Sequence, residues 1–199
     1  LQNRAEALAQ IVTRGTIGPF YDFLSFSLRE VLRNAVEHSG SSEVLYCAQY
    51  WPRRGEVEVG IADFGIGVRS GLANNPLYRS TTNQEALALS LQPGVSGRAY
   101  PGAPPQSESE WENSGWGLYM TSELLARTGT FFIASQDAAL LKATGLLLPY
   151  QQRFMGTCIR LSLFPARLTP FRQAISEVQA QGLQLLQGGL LPSRASTRL

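Results

Sequence analysis

Two predicted strands that follow one another without an intervening helix limit the folds open to this chain. The first is EVLYCAQY, Glu43 to Tyr50, and the second is EVEVGIAD, Glu56 to Asp63, whose apolar residues alternate. The WPRRG stretch between them, Trp51 to Gly55, is typical of a hairpin turn. This succession is not the strand–helix–strand alternation of a dinucleotide-binding fold, and it favours an antiparallel sheet.

The rest of the chain supplies helices and further strands around this pair. Helices are predicted where apolar residues recur at helical spacing, and strands where β-branched and aromatic residues cluster. The helices are expected at 3–13, 20–38 and 171–187, with another that follows a Gly-rich turn within 114–129 and stops at Gly129, and the strands at 130–135, 145–150 and 156–164. This order predicts an α+β fold, a two-layer sandwich of helices on a mixed, mainly antiparallel sheet. The last dozen residues are expected to be frayed.

A long segment at 70–114 separates the two halves of this pattern. It contains NNP, QPG, SGR and YPGAPPQSESE, with one short helical patch at 84–91. A loop of this length inside a compact domain is usually functional or mobile. We therefore expect it to take part in the function.

Composition narrows the function classes. The net charge of the 199 residues is only +2 and no basic cluster is present, so nucleic acid is not an expected partner. Cys47 and Cys158 form neither a disulfide framework nor a metal-ligand spacing, which favours reduced thiols in a cytoplasmic protein. No apolar run reaches the ~18 residues of a membrane span. Because the chain opens at Leu1, we expect residues upstream of it.

The DFGIGV stretch places a carboxylate and two glycines at the end of a predicted strand. Gly65 and Gly67 allow close approach of backbone to a ligand, and the carboxylate of Asp63 can accept from an NH₂ group such as that of adenine. The alternative is a tight turn that uses Asp and Gly for their conformations. A protein-kinase interpretation of DFG fails, because neither an HRD loop nor an upstream Gly-rich loop is present.

The LREVLRNAVEHSG stretch sets Glu30, Asn34 and His38 four residues apart on one helix face. An amide oxygen can ligate Mg²⁺, and a neighbouring carboxylate can deprotonate an attacking water. The alternative is a solvated Glu and Asn on a helix flank. His38 by itself is typical of a structural histidine near a helix end, where a positive charge is favourable.

Two further stretches carry weaker signals. In SGWGLYM, Gly115 and Gly117 precede a helix whose first N–H groups favour phosphate, or they form a flexible hinge. In GTCIRLSLF, Thr157 offers a hydroxyl at the start of a strand, or belongs to an ordinary strand.

The order of these four stretches resembles the ATP-binding domain of the GHKL superfamily, which includes gyrase, heat-shock chaperones, histidine kinases and MutL. EVLRNA, Glu30 to Ala35, is similar to the N box, and DFGIG, Asp63 to Gly67, to the G1 box. GWGL, Gly115 to Leu118, is similar to the G2 box, and Gly156 with Thr157 to the last box. The resemblance implies a Bergerat-type ATP-binding fold with a long ATP lid.

The resemblance also implies boundaries and roles. It covers residues 20–165 with the lid at about 70–114, leaving 1–19 as an N-terminal helix and linker and 166–199 as a C-terminal helix and tail. Glu30 would be the base that activates water or a protein nucleophile. The expected ligand residues are Asn34 at Mg²⁺, Asp63 at the adenine amino group, Gly65 and Gly67 at the floor of the base pocket, Thr157 beside Asp63, Gly115, Gly117 and Leu118 at the phosphate-facing box, and Arg98 at the terminal phosphate.

The N box indicates a subtype. REVLRNAVEHS is more similar to anti-sigma kinases and nitrate-sensor histidine kinases than to the chaperone and gyrase branch, which implies a bacterial signalling or regulatory protein. The only histidine, His38, lies inside this box, so the chain is not a self-sufficient histidine kinase. A phosphoacceptor would lie upstream of Leu1 or on another protein, or the domain only hydrolyses ATP.

Three functional hypotheses therefore stand. The first is Mg²⁺-dependent ATP binding with hydrolysis or γ-phosphate transfer, and the second is a nucleotide-gated interaction module with little or no turnover. The third is a degenerate domain that binds no nucleotide. The expected partners are ATP, an unidentified protein or upstream domain, and a second copy of the chain in a homodimer.

Overall fold

The computed structural model describes residues 2–100 and 115–188. The helices are α1 (Gln2–Val12), α2 (Pro19–Arg33), α3 (Gly67–Leu72), α4 (Asn83–Ser90), α5 (Gly117–Thr128) and α6 (Phe171–Gln187), and the strands are β1 (Val44–Trp51), β2 (Glu56–Asp63), β3 (Gly129–Ala143) and β4 (Leu146–Leu163). A π-helical turn, Asn34–His38, continues α2. Residues 101–114 of the predicted lid and the predicted frayed end from 189 onward lie outside the described residues.

The four strands form one sheet in the order β1-β2-β4-β3. Every pairing in the described sheet is antiparallel, so the predicted α+β sandwich is confirmed, while the expected mixture of strand directions is absent from this sheet. β2 is central, and its alternating Val57, Val59 and Ile61 are buried toward the helices. β1 is an edge strand and is mostly exposed.

β3 and β4 form one long hairpin instead of the three short strands predicted. The register shifts at Ser135 and Gln136, where the ladder has a bulge, and the pairing then continues to Ala143 and Leu146. Gly156 makes the close approach of β4 to β2 possible. Its φ is +100°, and a Cβ there would lie 2.0 Å from the carbonyl oxygen of Asp63.

Helices cover one face of the sheet and share one hydrophobic core with it. The largest fully buried side chains come from α2, α4, α5 and the strands, and include Phe23, Leu24, Leu28, Tyr119, Leu124, Leu125, Phe131, Ile133, Leu161 and Leu163. α1 and α6 contribute Ala5, Ala9, Ala174 and Val178 to the same core. The hydroxyl of Tyr119 donates to the carbonyl of Val178 at 3.2 Å, which fixes α6 against α5.

The helix predicted at 20–38 is present and begins at Pro19, whose fixed φ suits the first helical position. Its apolar stripe packs on the sheet because apolar residues recur at helical spacing. It ends where the Ser39 hydroxyl donates to the carbonyl of Ala35 at 2.6 Å, just before Gly40 with φ +67°. None of the helices in the two described ranges combines the length and apolar character needed to cross a bilayer.

Candidate functional site

A cavity of about 380 Å³ opens between the C-terminal end of α2, helix α3, the start of α5 and the adjoining face of the sheet. Eight of the ten residues predicted for a ligand site line it: Asn34, Asp63, Gly67, Arg98, Gly115, Gly117, Leu118 and Thr157. Glu30 and Gly65 do not line it. The four separate sequence stretches therefore meet around one cavity.

The sheet provides one wall of the cavity. Ile61, Ile159 and Ile133 pair across β2, β4 and β3 and present a row of apolar side chains. Asp63 and Thr157 face each other in the next inward-facing row, at the end of β2. A flat apolar surface with a carboxylate at its margin suits a planar heterocycle that carries an amino group.

Asp63 is a buried residue, 3% exposed, and its carboxyl group accepts hydrogen bonds from backbone amides. The Gly65 N–H donates to Oδ1 at 2.9 Å. Burial raises the pKa of Asp63, and hydrogen bonds from the backbone of Gly65 and Thr157 offset part of that rise. Thr157 thus supports Asp63 through its backbone.

Gly65 lies outside the cavity wall because it packs against the end of α2. A Cβ on Gly65 would lie 2.0 Å from the carbonyl oxygen of Ser39. The same carbonyl accepts a hydrogen bond from the Ile66 N–H at 2.8 Å. This docking of the 63–67 turn onto the helix end brings Asp63 and Asn34 to one cavity.

Ser135 holds the 63–67 turn against β4 on the side away from the end of α2. It was not predicted as a site residue. Its hydroxyl accepts from the Val68 N–H at 3.0 Å and donates to the carbonyl of Gly156 at 2.7 Å. Gly67, with φ +78°, has no room for a Cβ, which would lie 2.8 Å from the Ser135 hydroxyl oxygen. Ser135 sits at the β-bulge, and no local sequence pattern announces a bulge there.

Asn34 faces the cavity with its amide oriented by its own helix. Its Nδ2 donates to the carbonyl of Glu30 at 3.0 Å. Because the NH₂ group makes that bond, the amide oxygen is the atom available to a ligand. Mg²⁺ is commonly held by one or two protein oxygens together with phosphate oxygens and water, and this donor fits that chemistry.

Glu30 lies directly behind the cavity wall. Its side chain is 6% exposed, and its two oxygens pair with Arg29 at 3.0 Å and with Arg33 at 2.6 Å. A Cβ on Gly117 would lie 2.5 Å from Oε2 of Glu30. The carboxylate therefore touches the N-terminus of α5, where the helix dipole favours negative charge.

A cluster of basic side chains, Arg33, His38 and Arg98, lines the cavity beside Asn34. The guanidinium of Arg98 donates to the carbonyl of Glu37 at 2.9 Å, linking the 95–98 segment to the π-helical turn. Burial, together with the charges of Arg98 and Arg33, lowers the pKa of His38 to about 4. His38 is therefore neutral at pH 7, and the charged form considered for a histidine near a helix end is disfavoured here.

Arg33 lines the cavity, and sequence reasoning did not identify it. It immediately precedes Asn34 and is three positions after Glu30, a spacing that predicts an ion pair on a helix. Its place in the cavity wall follows only from the packing of α2 against α5.

The glycines before α5 have different partners. Gly115 has φ +75°, and a Cβ there would lie 2.4 Å from the carbonyl oxygen of Val95. Gly115 thus packs against the segment that carries Arg98, whereas Gly117 packs against Glu30. Together they bring the start of α5 and the 95–98 segment to the same cavity.

Comparisons with known proteins give distant structural neighbours and no family. No family model matches the chain, and no curated protein matches it. Among solved structures, the B-subunit of the DNA gyrase from Myxococcus xanthus is similar at a TM-score of 0.36 and 11% sequence identity, over 92% of this chain and 50% of that chain. The chain thus spans about half the length of that structure. A likeness of this extent assigns neither a fold family nor an activity.

Proposed function

We propose that the cavity binds ATP with Mg²⁺ and that the protein hydrolyses ATP or transfers its γ-phosphate. The observation that carries this proposal is the convergence of Asp63 and Asn34, from unconnected parts of the chain, on one cavity of about 380 Å³. The resemblance of the four boxes to GHKL domains supports the same function.

Each wall of the cavity has a role in this proposal. Asp63 accepts from the adenine amino group while the Ile61 row packs against the ring. Arg33 and Arg98 face the phosphates, since guanidinium groups bind phosphate oxygens well. The amide oxygen of Asn34 would hold Mg²⁺, which supplies neutralisation of phosphate charge when bound.

Glu30 is the proposed base. As the oxygen of a water molecule bonds to the γ-phosphorus, Glu30 accepts a proton from that water. The bond from the γ-phosphorus to its bridging oxygen breaks, and ADP leaves with the bonding electrons. In γ-phosphate transfer, a hydroxyl or imidazole of a partner protein takes the place of water.

The second candidate, a nucleotide-gated interaction module, is supported by the environment of Glu30. Its carboxylate pairs with two arginines and lies outside the cavity wall. If these pairs persist with ATP bound, turnover is slow and the bound nucleotide instead orders the 70–114 segment for a partner.

The N-box resemblance supports placing the protein in bacterial cytoplasmic signalling or regulation. In this proposal the ATP-binding domain is 20–165, and the partner is an upstream domain, another protein or a second copy of the chain.

Ligand-induced stabilisation tests nucleotide binding. A ligand that binds only the native state raises the melting temperature, and the stabilisation grows with the logarithm of its concentration relative to its dissociation constant. We expect Mg-ATP to raise the melting temperature and an equal concentration of MgCl₂ with sodium phosphate not to do so. No shift with Mg-ATP up to millimolar concentration would contradict the proposal and support a domain that binds no nucleotide.

A Glu30→Gln variant separates the two candidates. Loss of ATP turnover with retained ATP binding supports the enzyme, whereas unchanged turnover excludes Glu30 as the base and favours the module. Glu123→Gln is the matched control, because Glu123 is also an ion-paired, largely buried carboxylate on a helix, with its side chain 18% exposed; it is bonded to Lys142 at 2.6 Å and lies outside the cavity wall.

A further inference from the structure

The Arg33–Glu30 ion pair separates the cavity from the proposed base. Arg33 Nη2 lies 2.6 Å from Glu30 Oε2, with the two side chains 19% and 6% exposed. Arg33 lines the cavity and Glu30 does not. A water or acceptor group beside the phosphates of a bound nucleotide therefore meets the guanidinium before it meets the carboxylate.

Arg29 pairs with the other oxygen of the same carboxylate. Its Nη2 lies 3.0 Å from Oε1 of Glu30, and its side chain is 40% exposed and lies over the Phe26 ring. Removing every partner of a buried carboxylate is strongly destabilising. Because Arg29 lies outside the cavity wall, Glu30 keeps one cationic partner if Arg33 turns away.

A bound polyphosphate would compete for Arg33. Phosphate oxygens and carboxylates have similar geometry for a guanidinium, but a triphosphate carries several negative charges. Arg33 and Arg98 both act on His38, so two positive charges face the same part of the cavity. A nucleotide whose phosphates reach this cluster offers Arg33 a second partner with a larger charge.

We infer that Arg33 is a positioning residue that couples phosphate binding to exposure of Glu30, an inference that rests on the proposed function. In the nucleotide-free protein Arg33 pairs with Glu30 and separates its carboxylate from the cavity. When ATP binds, Arg33 pairs with its phosphates, and Glu30, still held by Arg29, faces the attacking group. The base is thereby available only when a nucleotide with a full phosphate chain is present.

A binding cycle tests this coupling. Dissociation constants for Mg-ATP and for AMP are measured by calorimetry on the wild type, Arg33→Ala, Glu30→Gln and the double variant. We expect Arg33→Ala to weaken ATP binding roughly tenfold or more and AMP binding far less, since only ATP extends to the cluster. We also expect Glu30→Gln to strengthen ATP binding in the presence of Arg33 and not in the double variant.

Arg29→Ala is the matched control, because Arg29 pairs with the same carboxylate from outside the cavity. It should lower the ratio of ATP to AMP affinity far less than Arg33→Ala does, because Arg33 remains to bind the phosphates, although its release then leaves Glu30 without a cation. Arg33→Lys retains a cation and should restore most of the ATP affinity lost in Arg33→Ala, and it keeps the test valid if the alanine variant fails to fold. Guanidinium ¹⁵N NMR signals of Arg33 should shift with ATP and not with AMP, while those of Arg29 stay in place.

The possible outcomes distinguish a failure of this inference from a failure of the proposed ATP binding. If wild type binds ATP but the Glu30→Gln gain persists without Arg33, the coupling is wrong and ATP binding stands. If Arg33→Ala lowers turnover at saturating ATP without changing the ATP to AMP affinity ratio, Arg33 only supports Glu30 and the inference fails. If the wild type binds neither nucleotide, both the proposed function and the inference are overturned.

Discussion

The carboxylate of Glu30 occupies the space that a side chain on Gly117 would need. A Cβ on Gly117 would lie 2.5 Å from Oε2, and that oxygen also pairs with Arg33. Glu30, the proposed base, can therefore occupy this position only because residue 117 on α5 has no side chain.

Gly117→Ala should therefore displace Glu30. We expect a fall of ~1–3 kcal/mol in the free energy of unfolding, because the new methyl group overpacks a filled site, together with a loss of ATP turnover. Urea denaturation and steady-state assays measure the two effects. Gly71→Ala is the control for stability, since no heavy atom lies within 4 Å of a Cβ there and alanine favours the α3 helix. A Gly117→Ala protein with wild-type stability and turnover would contradict the contact.

The pH dependence of stability should report the neutral state of His38. Its pKa falls from 6.5 to about 4 on folding, so between these values the unfolded chain binds more protons than the folded protein. The stabilising contribution is fully present above pH 6.5 and is lost as the pH falls toward 4. The loss is at most ~3 kcal/mol, from the size of the shift.

Urea denaturation of wild type and His38→Gln at pH 7 and 4.5 measures this loss. The variant should lose less stability between the two values, and the comparison removes the contribution of Asp63, which titrates in both proteins. An equal loss in both proteins would show that His38 is not held neutral. NMR titration gives a direct check, because His38 is the only histidine and its ring signals need no assignment.

Asp63→Asn should weaken the binding of every adenine nucleotide by a similar factor. The carboxylate has acceptor sites for the backbone amides and for an adenine amino group, whereas an asparagine amide has one acceptor oxygen. In the variant, the NH₂ group of the asparagine faces either the backbone N–H groups or the adenine amino group, and all of these are donors. We expect ATP, ADP and AMP affinities to fall roughly tenfold each.

Glu58→Gln is the matched control for Asp63, since Glu58 lies on the same strand and faces away from the helices, where it accepts a hydrogen bond from Trp51 at 2.8 Å. Calorimetry on both variants makes the comparison. A loss confined to ATP in Asp63→Asn would place Asp63 at the phosphates and contradict its assignment to the base.

Gly156→Ala should be among the most destabilising single substitutions in the chain. Its φ of +100° is unfavourable for alanine, and the new Cβ would lie 2.0 Å from the carbonyl oxygen of Asp63. We expect a loss of more than ~3 kcal/mol, from strain and a backbone clash together. Gly145→Ala separates the two causes, because Gly145 has φ +65° and open space around it, and should cost ~1 kcal/mol. Equal unfolding midpoints for the two variants would show that β4 can move away from β2.

Elements with strong periodicity could be predicted from the sequence with accurate ends. The alternation in EVEVGIAD gave β2, Glu56–Asp63, and the amphipathic pattern near the end gave α6, Phe171–Gln187. The continuation of β3 to Ala143 was missed, because the second half of that strand has no alternation and its ladder is displaced by a bulge. α3 was missed because a six-residue helix that begins at Gly67 has too few positions to show a period.

Residues that line the cavity could be predicted where a short motif carries the chemical signal. Asp63 and Asn34 could be named from their stretches, and the structure places both at one cavity. The contacts of Ser135 with the 63–68 turn, and of Glu30 with Gly117, join elements distant in the chain. Such contacts depend on how a sheet and a helix layer pack together, which no single stretch encodes.

The pairing of β2 with β4 affects when the cavity forms during folding. Glu56 accepts a hydrogen bond from Ser162, 106 positions later, and the same ladder sets Thr157 beside Asp63. Closing so large a loop is slow, because the chain loses conformational entropy before the paired strands stabilise the fold. A nascent chain that has emerged only as far as α5 carries three of the four boxes and still lacks a wall of the pocket. We therefore expect the cavity to form late in folding, once β4 has paired with β2 and the sheet is complete.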